Sequence, residues 1–213
     1  MSDALSLLKE TYVKLDEVIG PRLLKLPISC KKGCGACCTL FAIITLADAI
    51  NIVDHITAWP DWKEWVNKIA AAARQMCAPG MTRIEWLSRV IPCVFYDQTA
   101  GTCLIYSVRP AECRYFFVVS DPKLCGGPAI NKIQIVDIQA ERPIWALSLD
   151  IHEENGFFGP FACAPIPLMV LHALRYAVSP EWRRQHGQFI EDAMTGLPTP
   201  FEWMKTNVSR KEF

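Results

Sequence analysis

The hydrophobic positions of this chain recur mostly three or four residues apart, which is typical of amphipathic helices. The first such pattern should end at Gly20-Pro21. The second begins at Thr45, which forms a variant of the capping box with Asp48, and the last has Ser179 as its cap, followed by a proline. The pattern predicts helices over residues 3–19, 45–57, 61–78, 82–90, 142–154, 165–178 and 180–195.

Short β-type patterns interrupt the helices. Residues 40–44 and 133–138 are predicted strands, and residues 93–96 and 103–106 flank a turn that contains Gly101. The second pair predicts a β-hairpin that brings Cys93 close to Cys103. Loops are predicted over residues 22–29, 120–131 and 197–200, the last leading into a short polar tail. We therefore predict a mainly α fold with a minor β part: a helical domain with a short hairpin and a cysteine-rich metal-binding knuckle.

Composition and charge narrow the classes of function. The 213 residues carry 22 basic and 22 acidic side chains, so the net charge is zero and nucleic acid is not an expected partner. The hydrophobic fraction of 51% is enough for the core of a single domain over residues 1–213. The chain shows no signal-peptide pattern and no apolar stretch long enough to cross a bilayer. We expect a cytoplasmic protein with no membrane partner, and the sequence identifies no protein partner.

Ten cysteines carry the main chemical signal, and four of them fall within nine residues. Glycines and an alanine separate these four, so the backbone can turn tightly and bring several sulfurs toward one point. Such clustering suits a soft metal rather than a hydrophobic core. The predicted metal ligands are Cys30, Cys34, Cys37, Cys38, Cys93, Cys103 and Cys113. Residues 30–118 would form the metal-binding core and residues 140–195 a C-terminal helical extension.

Basic residues stand beside these predicted ligands. Pro110 favours the first turn of a helix, which places Cys113 near its positive end, where the helix dipole and neighbouring guanidinium groups favour a thiolate. The predicted charge-compensating residues are Lys31, Lys32, Arg109 and Arg114.

Several alternatives stay open at the level of sequence. A secreted chain would pair its cysteines as disulfides, and Cys34 with Cys37 could form a thioredoxin-type redox pair, although no βαβ pattern surrounds it. Cys77 and Cys163 favour plain packing, whereas Cys125 is undecided between ligand and bystander. Seven or eight sulfurs suffice for one metal centre or two, and adjacent Cys37 and Cys38 point in different directions. The metal is zinc or iron, the latter including a 4Fe–4S cluster.

The cysteine elements also carry a resemblance to a known family. They read Gly33-Cys34-Gly-Ala-Cys37-Cys38, Pro92-Cys93 and Cys103-Leu-Ile-Tyr106-Ser-Val-Arg109-Pro110-Ala-Glu-Cys113-Arg114. With these elements the chain resembles the zinc- or iron-chelating cysteine-cluster proteins, called CxxCxxCC proteins. The resemblance implies a metal site, and relatives with a related motif are associated with flagellin lysine methylation by an iron–sulfur enzyme. The chain departs from the family motif in having three residues, rather than two, between its first two cysteines.

No conventional catalytic or nucleotide-binding motif is present. The chain lacks a P-loop, a dinucleotide-binding glycine motif and a nucleophile elbow. Its four histidines, His55, His152, His172 and His186, are scattered and are predicted to be surface or core residues rather than ligands. Three functions therefore compete: a structural or carrier metal site, an iron–sulfur enzyme for methyl transfer or redox chemistry, and a metal-stabilised protein-interaction module.

Overall fold

The computed structural model describes residues 2–31, 33–136, 163–176 and 178–207. The predicted helix over 142–154, with His152, lies outside these residues, as do Lys32 and the end of the predicted strand 133–138. No helix among the described residues is long and apolar enough to cross a membrane.

The described residues form eight α-helices and four short strands. The helices are α1 (Ser2–Leu23), α2 (Leu46–Ile56), α3 (Trp62–Met76), α4 (Arg83–Arg89), α5 (Ala111–Arg114), α6 (Ile166–Tyr176), α7 (Pro180–Met194) and α8 (Pro200–Asn207). The strands are β1 (Ile43–Thr45), β2 (Tyr96–Asp97), β3 (Thr102–Cys103) and β4 (Cys163–Pro165). Short 3₁₀ helices cover Ala36–Thr39, Tyr106–Val108, Pro122–Leu124 and Gly127–Lys132. The predicted mainly α fold with a minor β part is confirmed.

Helices α2 and α6 form the centre of the core and pack against each other. Almost every side chain of both helices is buried, as expected for helices that are apolar on all sides. Helix α3 packs on α6 through one apolar face, which includes Val66, Ile69 and Ala73, and α7 covers both. The core therefore lies between helices that precede and follow the hairpin in the chain.

Two antiparallel strand pairs border this core. Strand β1 pairs with β4 in the register Ile43 to Pro165, a contact that the sequence did not predict because β4 is only three residues long. Strands β2 and β3 form the predicted hairpin, with Tyr96 opposite Cys103. The hairpin is shorter than predicted because the Asp97 side chain accepts hydrogen bonds from two backbone N–H groups of the turn.

Helix α1 is longer than predicted. It continues through Gly20-Pro21 and ends at Leu23. Proline there removes one backbone donor near the end of the helix, and the N–H of Leu24 still donates to the carbonyl of Gly20 over 3.1 Å.

The predicted loop over residues 197–200 is present up to Thr199, but the predicted polar tail is wrong, because helix α8 begins at Pro200. The N–H of Glu202 donates to the Thr199 hydroxyl over 3.2 Å, and the Glu202 carboxylate accepts from the N–H of Thr199 over 2.8 Å. These two bonds form a capping box, and Trp203 is buried one turn into the helix. The Thr-Pro-x-Glu signal was therefore present in the sequence.

Two further loop and strand predictions need correction. The predicted loop 120–131 contains two of the 3₁₀ helices. Within the described part of the predicted strand 133–138, only Ile135 pairs, through an isolated bridge to Val118. The predicted capping box of Thr45 and Asp48 at the start of α2 is confirmed.

The Asp48 carboxylate links three helices from a buried position. Besides capping α2, its Oδ1 atom accepts a hydrogen bond from the backbone N–H of Ala111 over 2.9 Å and another from the Tyr12 hydroxyl. The side chain is only 2% exposed, and burial raises the pKa of its carboxyl while these hydrogen bonds lower it. Helices α1, α2 and α5 are thereby held at one point.

Replacing this carboxylate should destabilise the fold. In Asp48→Ala the Ala111 N–H and the Tyr12 hydroxyl lose a buried acceptor and α2 loses its cap, so we expect a loss of roughly 2–4 kcal/mol in the free energy of unfolding. Urea unfolding followed by circular dichroism measures it. The matched control is Asp54→Ala on the same helix. Asp54 is 51% exposed, and its one side-chain partner among the described residues is exposed Lys9, so its loss should stay below about 1 kcal/mol. Equal losses in the two variants would contradict the linking role.

Candidate metal centre

The first cysteine cluster is a tight turn followed by a single 3₁₀ turn. The N–H of Cys34 donates to the carbonyl of Lys31 over 2.9 Å, and Gly33 in this turn has a φ of 85°, which favours glycine. Cys37 and Cys38 then lie in the 3₁₀ helix, where the N–H of Cys38 donates to the carbonyl of Gly35 over 2.9 Å. Three thiols are thus presented from five consecutive residues.

Cys30 is held by a different part of the chain. The N–H of Ser29 donates to the carbonyl of Val118 over 2.9 Å, and the N–H of Val118 lies 3.4 Å from the Cys30 sulfur, to which it donates. This bond lowers the pKa of Cys30, but burial raises it more. The segment after α5 therefore fixes the first cysteine of the cluster.

The hairpin cysteines meet the first cluster through the backbone. The N–H of Cys93 donates to the carbonyl of Cys38 over 2.6 Å. Cys103 lies on β3, and its charge contributes to raising the pKa of Cys93. The two halves of the predicted site are therefore in contact, and the predicted proximity of Cys93 and Cys103 is observed.

The Arg-Pro-Ala-Glu-Cys-Arg segment positions Cys113 through its backbone and its acidic residue. The Ala111 N–H is bound by Asp48, and the Glu112 carboxylate accepts a hydrogen bond from the N–H of Ile43 on β1. The N–H of Cys113 donates to the carbonyl of Pro110 over 3.0 Å. The first two contacts tie α5 to α2 and β1, whereas the third lies within the α5 segment itself.

The two arginines of this segment have different roles. Arg114 forms an ion pair with Asp16 on α1 and therefore does not serve the cysteines. The Arg109 guanidinium lies 3.8 Å from the ring centroid of Tyr106 and lowers the pKa of Cys30, Cys37 and Cys103. Of the four predicted charge-compensating residues, Arg109 therefore acts on the sulfurs, while Lys31 is exposed.

Six of the seven predicted ligands line one cavity of about 500 Å³. They are Cys34, Cys37, Cys38, Cys93, Cys103 and Cys113. Most of the remaining wall is apolar and includes Leu40, Met76, Trp86 and Ile166. Cys30 is not part of this wall, although Cys34 and Cys37 both raise its pKa. The fold thus gathers thiols from three separate segments.

Burial keeps most of these thiols protonated. It raises the pKa of Cys113 well above its usual value, with Glu112 adding to the effect, and raises that of Cys93 to about 12. The predicted thiolate-favouring environment at Cys113 is therefore wrong, because burial and Glu112 outweigh the short helix. Cys37 differs: a hydrogen bond from Cys38 and the nearby Arg109 lower its pKa to about 7. A metal that binds here must displace protons.

The thiol groups suit a soft metal, but their side chains do not surround a common point. Among the described residues, no three His, Cys, Asp or Glu groups stand close enough together to hold a metal ion. Thiolates are the ligands that zinc and iron–sulfur clusters prefer. The thiols would have to rotate toward a common point as they lose their protons.

Residues 29–132 match the family model CxxCxxCC, whose description is "putative zinc- or iron-chelating domain". The chain is similar to this family over residues 29–132, just under half of its length. The match contains all seven predicted ligands and extends beyond the predicted core at residue 118 to include Cys125. A search of curated proteins found no match to the chain, and neither did a search of solved structures.

The matched segment contains an eighth cysteine beside the seven predicted ligands. Cys125 is 3% exposed, and its pKa is raised to about 11 by burial and by the charges of Cys30, Cys37 and Cys34. The sequence left Cys125 undecided because it follows Cys113 closely but lies in a glycine-rich loop. By contrast, Cys77 and Cys163 do not line the cavity, and burial alone is the main cause of their raised pKa values.

Gly35 allows the hairpin to approach the first cluster. A Cβ atom at this position would lie 2.2–2.4 Å from three atoms of the Tyr96 side chain on β2. Real Cβ atoms do not approach other heavy atoms so closely, so only glycine fits here without a shift. The glycine between Cys34 and Cys37 therefore serves the contact between the two halves as well as the turn itself.

A side chain at position 35 should push the hairpin away from the first cysteine cluster. In Gly35→Ala the methyl group meets the Tyr96 ring, and we expect a loss of roughly 1–3 kcal/mol in unfolding free energy together with weaker metal binding. Chemical unfolding and a zinc titration measure the two effects. The control Gly187→Ala on α7 has no atom within 4 Å and should stabilise the protein by about 0.5–1 kcal/mol. If Gly35→Ala with Tyr96→Ala is no better than Gly35→Ala alone, the steric explanation fails.

Proposed function

We propose that this chain binds zinc or an iron–sulfur centre through clustered cysteine thiolates, chiefly as a structural or carrier site. The proposed ligands are Cys30, Cys34, Cys37, Cys38, Cys93, Cys103 and Cys113. The observation that carries the proposal is that thiols from three separate segments line one cavity. The match to a zinc- or iron-chelating family supports it.

The electrostatics of the cavity agree with this assignment. Thiolates gathered around a divalent metal leave excess negative charge, and a nearby cation offsets it. Arg109 supplies that charge, because it already lowers the pKa of three of the proposed ligands. Thiolate ligands suit both zinc and a 4Fe–4S cluster, and both require a reducing compartment such as the cytoplasm.

A second candidate function is an iron–sulfur enzyme, and the cavity favours it. The apolar part of the cavity extends past the sulfurs to Met76 and Trp86. The buried indole N–H of Trp86 has no hydrogen-bond acceptor among the described residues, so a bound small molecule could accept one there. In this proposal an iron–sulfur centre would supply redox or methyl-transfer chemistry, and the apolar wall would bind the substrate and exclude water.

Purification without oxygen distinguishes these functions. We expect elemental analysis to find stoichiometric zinc or iron, because cysteine thiolates are preferred ligands of these metals. Broad visible absorption with stoichiometric iron and sulfide would identify an iron–sulfur centre and exclude the zinc assignment. A colourless protein with stoichiometric zinc would contradict the redox and methyl-transfer functions. A protein that holds neither metal would contradict the proposal as a whole.

Single cysteine substitutions test the ligand assignment. Cys34→Ser and Cys113→Ser should each lower the bound metal and the stability of the loaded protein, because metal binding contributes folding free energy. Cys77→Ser, outside the cavity wall, should keep both at the wild-type level. Metal analysis and thermal unfolding are the measurements. Equal metal loss in all three variants would show that the ligand set is wrong.

A further inference from the structure

The cavity beside the cysteines is larger than a metal ion needs. Its volume is about 500 Å³, within the range of roughly 300–1,000 Å³ that is typical of pockets for small organic molecules. A zinc ion lies about 2.3 Å from each thiolate that binds it, so it stays against the sulfurs and leaves most of this volume free. The rest of the cavity therefore has room for a second ligand.

The buried part of the cavity wall is apolar. Four large side chains of this part have exposed fractions of only 2–5%. They are Met76 on α3, Trp86 on α4, Ile105 after the hairpin and Ile166 on α6. Because these side chains come from four different segments of the packed core, the wall holds a fixed shape that suits a hydrocarbon group.

The exposed edge of the cavity carries a positive charge. Tyr106 and Ser107, which are exposed to solvent, form part of this edge together with the half-buried Arg109. The Arg109 guanidinium lies 3.8 Å from the ring centroid of Tyr106. The described residues that line the cavity include no aspartate, glutamate or lysine, so Arg109 gives the wall its positive charge.

Arg109 has hydrogen-bonding capacity that the fold does not use. Its Nε atom donates to the carbonyl of Tyr106 over 3.2 Å. Within the part of the chain that the structure describes, no carboxylate pairs with Arg109 and no sulfur accepts a hydrogen bond from it, whereas Arg114 is held by Asp16. The two terminal nitrogens of Arg109 are therefore available. A planar guanidinium prefers a carboxylate, which it binds through two parallel hydrogen bonds.

From this arrangement we propose that the cavity binds a small carboxylic acid with an apolar body. Its carboxylate would lie on Arg109 and its hydrocarbon part against Met76, Trp86 and Ile166. A single guanidinium balances the one negative charge of a carboxylate, and the apolar wall adds affinity as hydrocarbon surface is buried. The proposal rests on the second candidate function, in which this wall binds the substrate, and it names the class of that substrate.

Isothermal titration calorimetry with octanoate tests the proposal, with 1-octanol as the uncharged probe of the same length. The full chain, purified without oxygen and with its metal, should bind one octanoate roughly tenfold more tightly than octanol. In Arg109→Gln this preference should disappear, whereas Arg109→Lys should keep part of it. The readout is the ratio of the two affinities within each variant, so a general loss of stability does not imitate the effect.

Two adjacent alanines on α3 test the location of the ligand. Ala72 lines the cavity, whereas its exposed neighbour Ala71 does not. Ala72→Phe places a ring in the space of the ligand and should weaken the binding of both octanoate and octanol by about tenfold. The matched control Ala71→Phe should leave both affinities at the wild-type level.

Several results would overturn the proposal. Equal binding of octanoate and octanol to the wild type, or an unchanged preference in Arg109→Gln, would contradict the position of the carboxylate. Equal effects of Ala72→Phe and Ala71→Phe, or no octanoate binding at all, would contradict the cavity as the site. Elemental analysis of the same samples separates this result from the metal-binding function. Full metal content without octanoate binding contradicts only the ligand, whereas octanoate binding without zinc or iron contradicts only the metal.

Discussion

The position of Cys113 depends on one buried carboxylate. Asp48 caps α2, and its free oxygen binds both the first N–H of α5 and the Tyr12 hydroxyl of α1. A helix of four residues has too few internal hydrogen bonds to hold an orientation by itself. Its direction is instead set by Asp48 from one side and by Glu112, bound to β1, from the other. The motif around Cys113 therefore fixes the position of α5, in addition to carrying a proposed metal ligand.

Burial of the cysteines has two opposing effects on metal binding. The hydrophobic surroundings exclude water and strengthen the interaction between metal and thiolate, but they also raise the pKa of thiols such as Cys93 and Cys113. A metal that bound here would have to displace protons held in an apolar site. Cys37, with its pKa near 7, is the sulfur that loses its proton most readily among those shifted.

Local signals predicted much of the fold and most of the cysteines that line the cavity. The Thr45–Asp48 capping box, the helical face of α3 and the hairpin that carries Cys103 follow from short-range rules, and all three are present. The pairing of β1 with β4 and the packing of Cys125 depend on segments far apart in the chain, which spacing alone does not reveal. The pKa of Cys113 also escaped prediction, because the sequence shows its basic neighbours but not its depth of burial. By contrast, the capping box of α8 at Thr199 was a local signal that was overlooked.

The pairing of β1 with β4 shows that the matched segment and the packed unit have different bounds. The family match ends at residue 132, whereas β1, inside the match, takes its hydrogen-bonding partner from Cys163–Pro165. Helix α2, also inside the match, buries its surface against α6, which lies outside it. The matched stretch is therefore smaller than the unit that packs together. A relative with different residues after the matched segment would need another element to cover β1 and α2, which follow the cysteine turn directly in the chain.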